Sequence, residues 1–367
     1  SDRLINEFLR PTLLVGLFKP PEELSAAVTM ELLYYYALAH QDSFDVRWIK
    51  SKSIAEHLFA PLSRRLISRH HLQVLGGTLV SRVNVSPESQ RVSSVELMNL
   101  ETKSVQVIDE VDAVVLAVGA KGLKSLMAQS PELSKAAPEL VSAASLGSID
   151  VVSARLWLDR YVPIAYPANV FSRFESLKGS GGTFFMLDQL HKDAQQALWG
   201  DEQPQGSVVA SDFYNASAIA AMSDQEIIAL LTRELLPIAH PEFTNARVVD
   251  SEVRRYPSSV SLFSPGSFRK RPPLETSVRS IVCAGDWVRM GDKEHGAKGL
   301  CQERAYVCGL EAGNSLIRRK IVGGAGHSHA VLPIRADEPQ VVLGRALNKL
   351  LMDPIEALGL KLPWFNS

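Results

Sequence analysis

Asp286 stands at the most chemically suggestive point of the chain, directly after Gly285 at the end of a short apolar run, Ile281-Val282-Cys283-Ala284. The run has strand character, Gly285-Asp286 stops it, and a polar loop leads to Gly296-Ala297, where helical spacing begins. A carboxylate just past a strand end can accept hydrogen bonds from the hydroxyls of a sugar-like cofactor chain. Gly296 at the helix start leaves backbone N–H groups unobstructed, and these carry the positive end of the helix dipole. A ligand edge that gains negative charge would be stabilised there, and the N1–C2=O edge of a reduced flavin is one such group. The same residues also fit a tightly packed strand-helix unit in which Asp286 only caps a turn.

Several elements must hold those residues in place. Ala297, Cys301, Ala305, Cys308, Gly309 and Ala312 recur at helical spacing and predict a helix whose inner face is small throughout, able to approach a sheet or a flat ligand closely. Residues 111–120 are nearly continuously apolar and end at Gly119-Ala120, which predicts a parallel strand buried on both faces and stopping where a ligand approaches. Residues 73–83, around Gly76-Gly77, and 92–100 read as strands joined by a turn. Residues 151–158, 182–187, 207–213 and 246–256 alternate as in a mostly antiparallel sheet, and Ser223-Asp224-Gln225-Glu226 is a capping box opening a helix. The Gly179–Gly182 cluster reads as a flexible turn with no phosphate role, because no strand-turn-helix pattern surrounds it.

Near the start, residues 25–39 carry helical spacing rich in Leu, Ala and Tyr, with Tyr34, Tyr35 and Tyr36 pointing three ways. Ile54, Leu58, Leu62, Leu66 and Ile67 then give an amphipathic helix with Arg64, Arg65 and Arg69 on its other faces, closed by His70-His71 as C-terminal helix charges. The corner from His40 to Asp45 reads as a solvated turn, and His327 and His329 as loop residues beside glycines, so no metal site is expected. Residues 340–360 form a final amphipathic helix pattern broken at Pro354.

The run Ala284-Gly285-Asp286-Trp287, its polar loop, Gly296-Ala297 and a helix ending Gly309-Leu310-Glu311-Ala312 resembles the C-terminal flavin-binding motif of the flavin amine oxidase superfamily. It is most similar to the branch of carotenoid desaturases and related FAD-dependent oxidoreductases of plants and cyanobacteria. The strand at 111–120, Phe8-Leu9-Arg10-Pro11 and the segment from Pro21 to Ala26 resemble further parts of that branch, whereas Gly299 to Ala305 departs from its usual pattern. The resemblance implies an α/β fold: a Rossmann-like, glutathione-reductase-type FAD lobe lacking its first βαβ unit, with an inserted α+β substrate lobe. Boundaries then fall at 1–72 for the helical part of the substrate lobe, 73–120 and 275–320 for the cofactor lobe, 121–274 for the substrate lobe, and 321–367 for a C-terminal loop and helix.

It further implies FAD as cofactor, with Asp286 on the ribityl chain, Gly296 and Ala297 at the ring edge, Gly285 against the cofactor, and Trp287 near the ring. Val83, Ala117 and Gly119 would border the cofactor, Val83 at the adenine end. The implied reaction is hydride transfer from an apolar isoprenoid or carotenoid-type substrate to flavin. No side chain is then required as acid or base, in keeping with the lack of a catalytic cluster, and no catalytic residue is singled out. Amine oxidation is a rival within the class. A non-catalytic subunit of a plastid membrane assembly, keeping the fold with an empty or filled cleft, is a rival outside it.

Composition bounds these readings. The chain has 367 residues, 46% hydrophobic and 22% charged, enough for two lobes with sizeable cores. Lys+Arg 39 against Asp+Glu 40 gives a net charge of −1, with no electrostatic footprint for nucleic acid. The three cysteines make no disulfide framework, since Cys301 and Cys308 would lie about 10 Å apart along one helix, so a reducing compartment is expected. No run reaches a transmembrane length, although an apolar patch touching a membrane surface is a possible fate for the N-terminal segments. No glycine-rich diphosphate turn and no initiating Met occur in the chain, so either the first βαβ unit was removed from it or the protein has lost it, and residue 1 is a processing site or the start of a fragment. The resemblance implies a plastid location, soluble or at the membrane periphery.

Overall fold

The computed structural model describes residues 2–34, 53–172, 174–200, 202–294, 301–322, 328–333 and 336–358. Three sheets organise them. β1 (Thr78–Val85), β2 (Val92–Asn99) and β3 (Val105–Asp109) form an antiparallel meander. β4 (Val114–Leu116) pairs in parallel with β10 (Ile281–Cys283), far away in sequence. Between them β5 (Ser148–Leu158), β6 (Ala168–Phe171), β7 (Gly181–Met186), β8 (Val208–Tyr214) and β9 (Val248–Ser261) build a five-stranded antiparallel sheet in the order β6-β7-β8-β5-β9.

Two apolar cores follow. The first gathers β4, β10 and the Gln302–Arg318 helix with the helices from Ala120 to Ala144 and with Leu13, Leu17, Leu24, Val28 and Leu32 of the N-terminal helices. The second lies under the five-stranded sheet, where Val152, Leu156, Phe184 and Phe213 on one face meet Ile227, Leu231 and Leu235. The helix carrying Ile227 starts at the predicted capping box: Ser223 Oγ accepts the Glu226 N–H, and the Glu226 carboxylate accepts the Ser223 N–H at 2.8 Å. The cores divide near Gly147 rather than at 121, and the helices from Ala120 to Ala144 pack with the parallel strands, because Leu123, Leu133 and Leu140 turn their apolar sides there.

Four expectations are corrected. β4 is three residues long and not buried on both faces: Val115 is 45% exposed, because β10 is its single partner among the described residues. The inner face of the Gln302–Arg318 helix is not uniformly small, since Gly309 is exposed while Arg304, Glu311 and Asn314 are buried with Cys308 and Ala312. The 179–182 cluster is only partly a turn. Gly179 has φ +81°, but Gly181 and Gly182 lie in β7, where glycine permits close packing against Leu14 and Phe171. The C-terminal helix runs from Pro339 to Ala357 through Pro354, whose carbonyl accepts the Leu358 N–H at 3.0 Å.

Tyr35, Tyr36 and the 40–49 corner lie outside the described residues, as do Gly296, Ala297 and His327. Tyr34 donates to the Asp337 carboxylate at 3.2 Å. No helix among the described residues is long and apolar enough to cross a membrane.

A Cβ at Gly181 would stand 2.8 Å from Leu14 Cβ and 3.0 Å from Leu14 O, backbone that cannot swing aside. Gly181→Ala is expected to lose roughly 1–3 kcal/mol of stability, measured by urea denaturation. Gly309→Ala, on an exposed helical face with open space, should be neutral or stabilising by up to about 1 kcal/mol.

Candidate functional site

β4 and β10 run parallel and in register, Leu116 opposite Cys283, and the Ala284 N–H extends the ladder to Leu116 O at 3.0 Å. Their carboxyl ends therefore stop at one level, the place where open parallel sheets present ligand crevices. A cleft of about 510 Å³ lies there. Ala117, Val118 and Gly119 follow β4 into it, and Ala284, Gly285, Asp286 and Trp287 follow β10. Cys301, Gln302 and Ala305 close it from the first turn of the Gln302–Arg318 helix, while Ser259–Ser261 of β9 and Phe18 form the opposite wall.

Two helices begin on this cleft. Gly119 is the N-cap of the Ala120–Gln129 helix and Cys301 that of the Gln302–Arg318 helix, so both positive dipole ends are directed at the same space. Among the described residues, a Cβ on Gly119 would meet no atom within 4 Å. Gly285 has φ +135°, outside the range of ordinary side chains, and this sharp bend turns the chain from β10 so that Asp286 and Trp287 reach the cleft.

Asp286 is mostly desolvated, and burial pushes its carboxyl up from the ordinary 3.8, opposed by the Cys301 N–H it accepts and by the charges of Arg304 and Arg271. Trp287 is in the core and shows only an edge to the cleft. Behind both lies an arrangement that motif reading missed. Arg304 is fully buried; its Nε donates to Asp286 O at 2.8 Å, its Nη2 to Val288 O at 2.6 Å, and its Nη1 pairs with Glu294 at 2.7 Å. Glu294 also accepts the Met290 N–H at 2.9 Å. Arg271, 1% exposed, lies over the rings of Phe263 and Phe268 with centroids 4.2 and 5.3 Å away, and burial with the neighbouring Arg304 charge lowers its pKa to about 10. The signal for Arg304 was its spacing of four and eight residues from Cys308 and Ala312, which places it on the inner helix face.

Of the singled-out residues, the structure brings Ala117, Gly119, Gly285, Asp286 and Trp287 together on one cleft. Val83 is elsewhere: it is fully buried, does not line the cleft, and its N–H donates to Ser130 Oγ at 3.0 Å, which occupies the donor an adenine ring would need. The far wall continues into the polar face of the five-stranded sheet. Phe18 stacks on Tyr214 at 4.2 Å, Tyr214 O–H and Thr183 share a hydrogen bond of 3.1 Å, and Ser153 donates to Asp212 in register. Burial raises Asp212 above its ordinary value and pushes Tyr214 up to about 12. Among the described residues no group of His, Cys, Asp and Glu could hold a metal.

Paired parallel strands ending at a glycine-rich cleft beneath two helix N-termini, beside a separate antiparallel sheet, define the flavoprotein oxidoreductase type of architecture. The chain belongs to the flavin containing amine oxidoreductase family, whose description matches residues 1–296. It is 27% identical over 309 residues to a carotenoid phi-ring synthase of Streptomyces griseus, covering 84% of this chain and 54% of that protein. It is 23% identical over 277 residues to a 15-cis-phytoene desaturase of Synechococcus elongatus, covering 74% of this chain and 53% of that one. Among solved structures it resembles cyclohexylamine oxidase from Brevibacterium oxydans, with a TM-score of 0.50 at 12% identity over 85% of this chain and 64% of that one, a likeness of fold. The chain thus spans about half the length of the curated relatives it matches. FAD is the cofactor that goes with the family and the fold. The residues present fit its ring end: a glycine whose missing Cβ leaves open space, a bend only glycine makes, and a desolvated carboxylate beside backbone donors.

Removing Arg304 leaves Glu294 and two carbonyls without their donor, so Arg304→Met is expected to lose roughly 3–5 kcal/mol by chemical denaturation. Asp286 has the opposite sign. Its raised pKa means folding favours the protonated form; the stability it contributes is present below 3.8 and is lost as pH rises through the raised value. Asp286→Asn should therefore unfold at a higher temperature than wild type at neutral pH, with the gain vanishing towards a pH of about 3. Equal midpoints at all pH values would contradict the desolvation of Asp286.

Proposed function

We propose that this protein is an FAD-dependent oxidoreductase that takes a hydride from an apolar, isoprenoid or carotenoid-type substrate. The observation that carries the proposal is the cleft at the ends of β4 and β10, where glycine, alanine and desolvated Asp286 converge under two helix N-termini, with no acid-base cluster among the described residues that line it. FAD, when bound, would accept the hydride, and the neighbouring C–H would give up its hydrogen as a proton to solvent. The protein's own share is to bind, orient and exclude water. Asp286 accepts ribityl hydroxyls with the lone pairs left by the Cys301 N–H, and the first turn of the Gln302–Arg318 helix stabilises negative charge at the ring edge. Ala117, Gly119 and Gly285 allow close approach of a flat ring, Trp287 stiffens one border, and the Phe18–Tyr214 stack walls the opposite side from solvent. The carotenoid-acting names of the curated relatives favour an isoprenoid over an amine.

The proposal extends to a plastid location at a membrane surface, where such substrates partition. Support comes from the Ala60–His70 helix, whose Leu62 and Ile67 are exposed beside Arg64, Arg65 and Arg69, the combination that suits an anionic bilayer surface.

The test is anaerobic mixing of the flavin-loaded full-length protein with detergent-dispersed carotenoid precursors. Bleaching of the flavin band at about 450 nm, with a product two hydrogens poorer, is the expected result. Asp286→Ala should lower the affinity for FAD by about tenfold or more. Bleaching by primary amines and not by polyenes would overturn the substrate assignment, and a protein that never takes up flavin would overturn the activity.

A further inference from the structure

β10 and the Gln302–Arg318 helix each have a second end, and a second cleft of about 530 Å³ lies there. It is formed by three segments remote in sequence: the β1–β2 turn with Ser89 and Arg91, the bend before β10 with Ser277 and Arg279, and the helix C-terminus with Arg319 and Lys320. The helix has 17 residues, so the two clefts stand about 25 Å apart. They are separate sites.

Among the described residues, four cations and no carboxylate line this cleft. Among the described residues none of Arg91, Arg279, Arg319 and Lys320 pairs with an acid, although the same helix end satisfies its other arginine, Arg318, with Glu311 at 3.3 Å and Glu275 at 3.7 Å. Glu139 adjoins the cleft, but it is occupied by the Ser277 N–H at 2.7 Å and the Ser277 Oγ at 3.1 Å. Cations at a helix C-terminus complement the dipole, and Arg279 does so by donating to Arg319 O at 3.1 Å. That accounts for neither Arg91, which arrives from another sheet, nor Arg319, whose Nη1 is buried with no hydrogen-bond partner among the described residues. A desolvated guanidinium nitrogen without an acceptor is unfavourable.

We propose that this cleft binds a tetrahedral oxyanion of the phosphate class, either a soluble phosphate ester or a phospholipid headgroup. Planar guanidinium forks from Arg91, Arg279 and Arg319 match phosphate oxygens, Lys320 adds a point charge, and the Ser89 hydroxyl at the rim donates further. The positions are fixed by backbone. Gln90 at φ +53° and the Ser86–Arg91 bond of 2.9 Å close the turn carrying Arg91, and Lys320 at φ +53° ends the helix.

The test is isothermal titration of the full-length protein with inorganic phosphate and with glycerol 3-phosphate at an ionic strength held constant with potassium chloride. In parallel, the protein is floated with vesicles of phosphatidylcholine, alone or containing phosphatidic acid. Saturable binding of phosphate or headgroup is expected, weakened about tenfold or more in Arg319→Gln and in Arg91→Gln and unchanged in Arg233→Gln, an exposed cation of the other core. Arg91 is exposed and among the described residues its side chain makes no hydrogen bond, so that variant reports on binding even if Arg319→Gln folds poorly. Flotation that requires phosphatidic acid and is lost in Arg91→Gln identifies the lipid headgroup as the source. Binding of glycerol 3-phosphate without flotation identifies a soluble ester. No saturable binding of either, or binding equal in wild type and both variants, overturns the proposal.

Discussion

The buried guanidinium of Arg304 is the constraint on which the cofactor end of the molecule depends. The stretch from Gly285 to Glu294 leaves β10 through a bend that only glycine accepts and then has to cross the start of a helix without a sheet partner for much of its length. Such a loop carries backbone carbonyls that need donors. Arg304 reaches back from the first helical turn and supplies two of them, at Asp286 and Val288, while Glu294 neutralises its charge. Asp286 returns the connection by accepting the Cys301 N–H. Loop and helix therefore hold each other in one geometry, and the cleft takes its shape from that geometry.

This arrangement also explains how two arginines are tolerated in one core. Arg271 lies under the same loop, and its charge repels that of Arg304; the faces of Phe263 and Phe268 and the nearby carboxyls of Glu294 and Asp286 offset the repulsion. Burying charge is unfavourable unless it is fully paired. Its placement behind the cleft floor gives the site an electrostatic background that favours an anionic ligand edge from beneath as well as from the two helix ends.

The sequence announced the strand ends and the bend better than the helix behind them. Gly285-Asp286 after four apolar residues, and Gly119 after another apolar run, are local signals, and both fall on the cleft. Periodicity reports which residues of β4 are apolar, not how many neighbours a strand has, and Val115 has too few. The small residues of the Gln302–Arg318 helix mark its inner face, whereas Arg304 shares that face at intervals of four and eight residues and its partners at 286, 288 and 294 become visible only when the loop folds over it. Val83 lay next to a legible turn, but the hydroxyl of Ser130 that takes its N–H comes from 47 residues away. The cationic cleft was illegible for the same reason: Arg91, Arg279 and Arg319 read singly as ordinary surface charges, and tertiary structure makes them a group.

The parallel pair β4 and β10 thus works as a short axle, with a glycine-lined crevice at its carboxyl end and a charged one at its amino end, and the antiparallel sheet closes the first of them from the side. The measurement that bears most directly on this account is the visible absorption spectrum of the purified full-length protein, recorded before and after denaturation. The account predicts bands at about 370 and 450 nm with roughly one FAD released per chain. A folded, colourless protein that takes up no added FAD would contradict it.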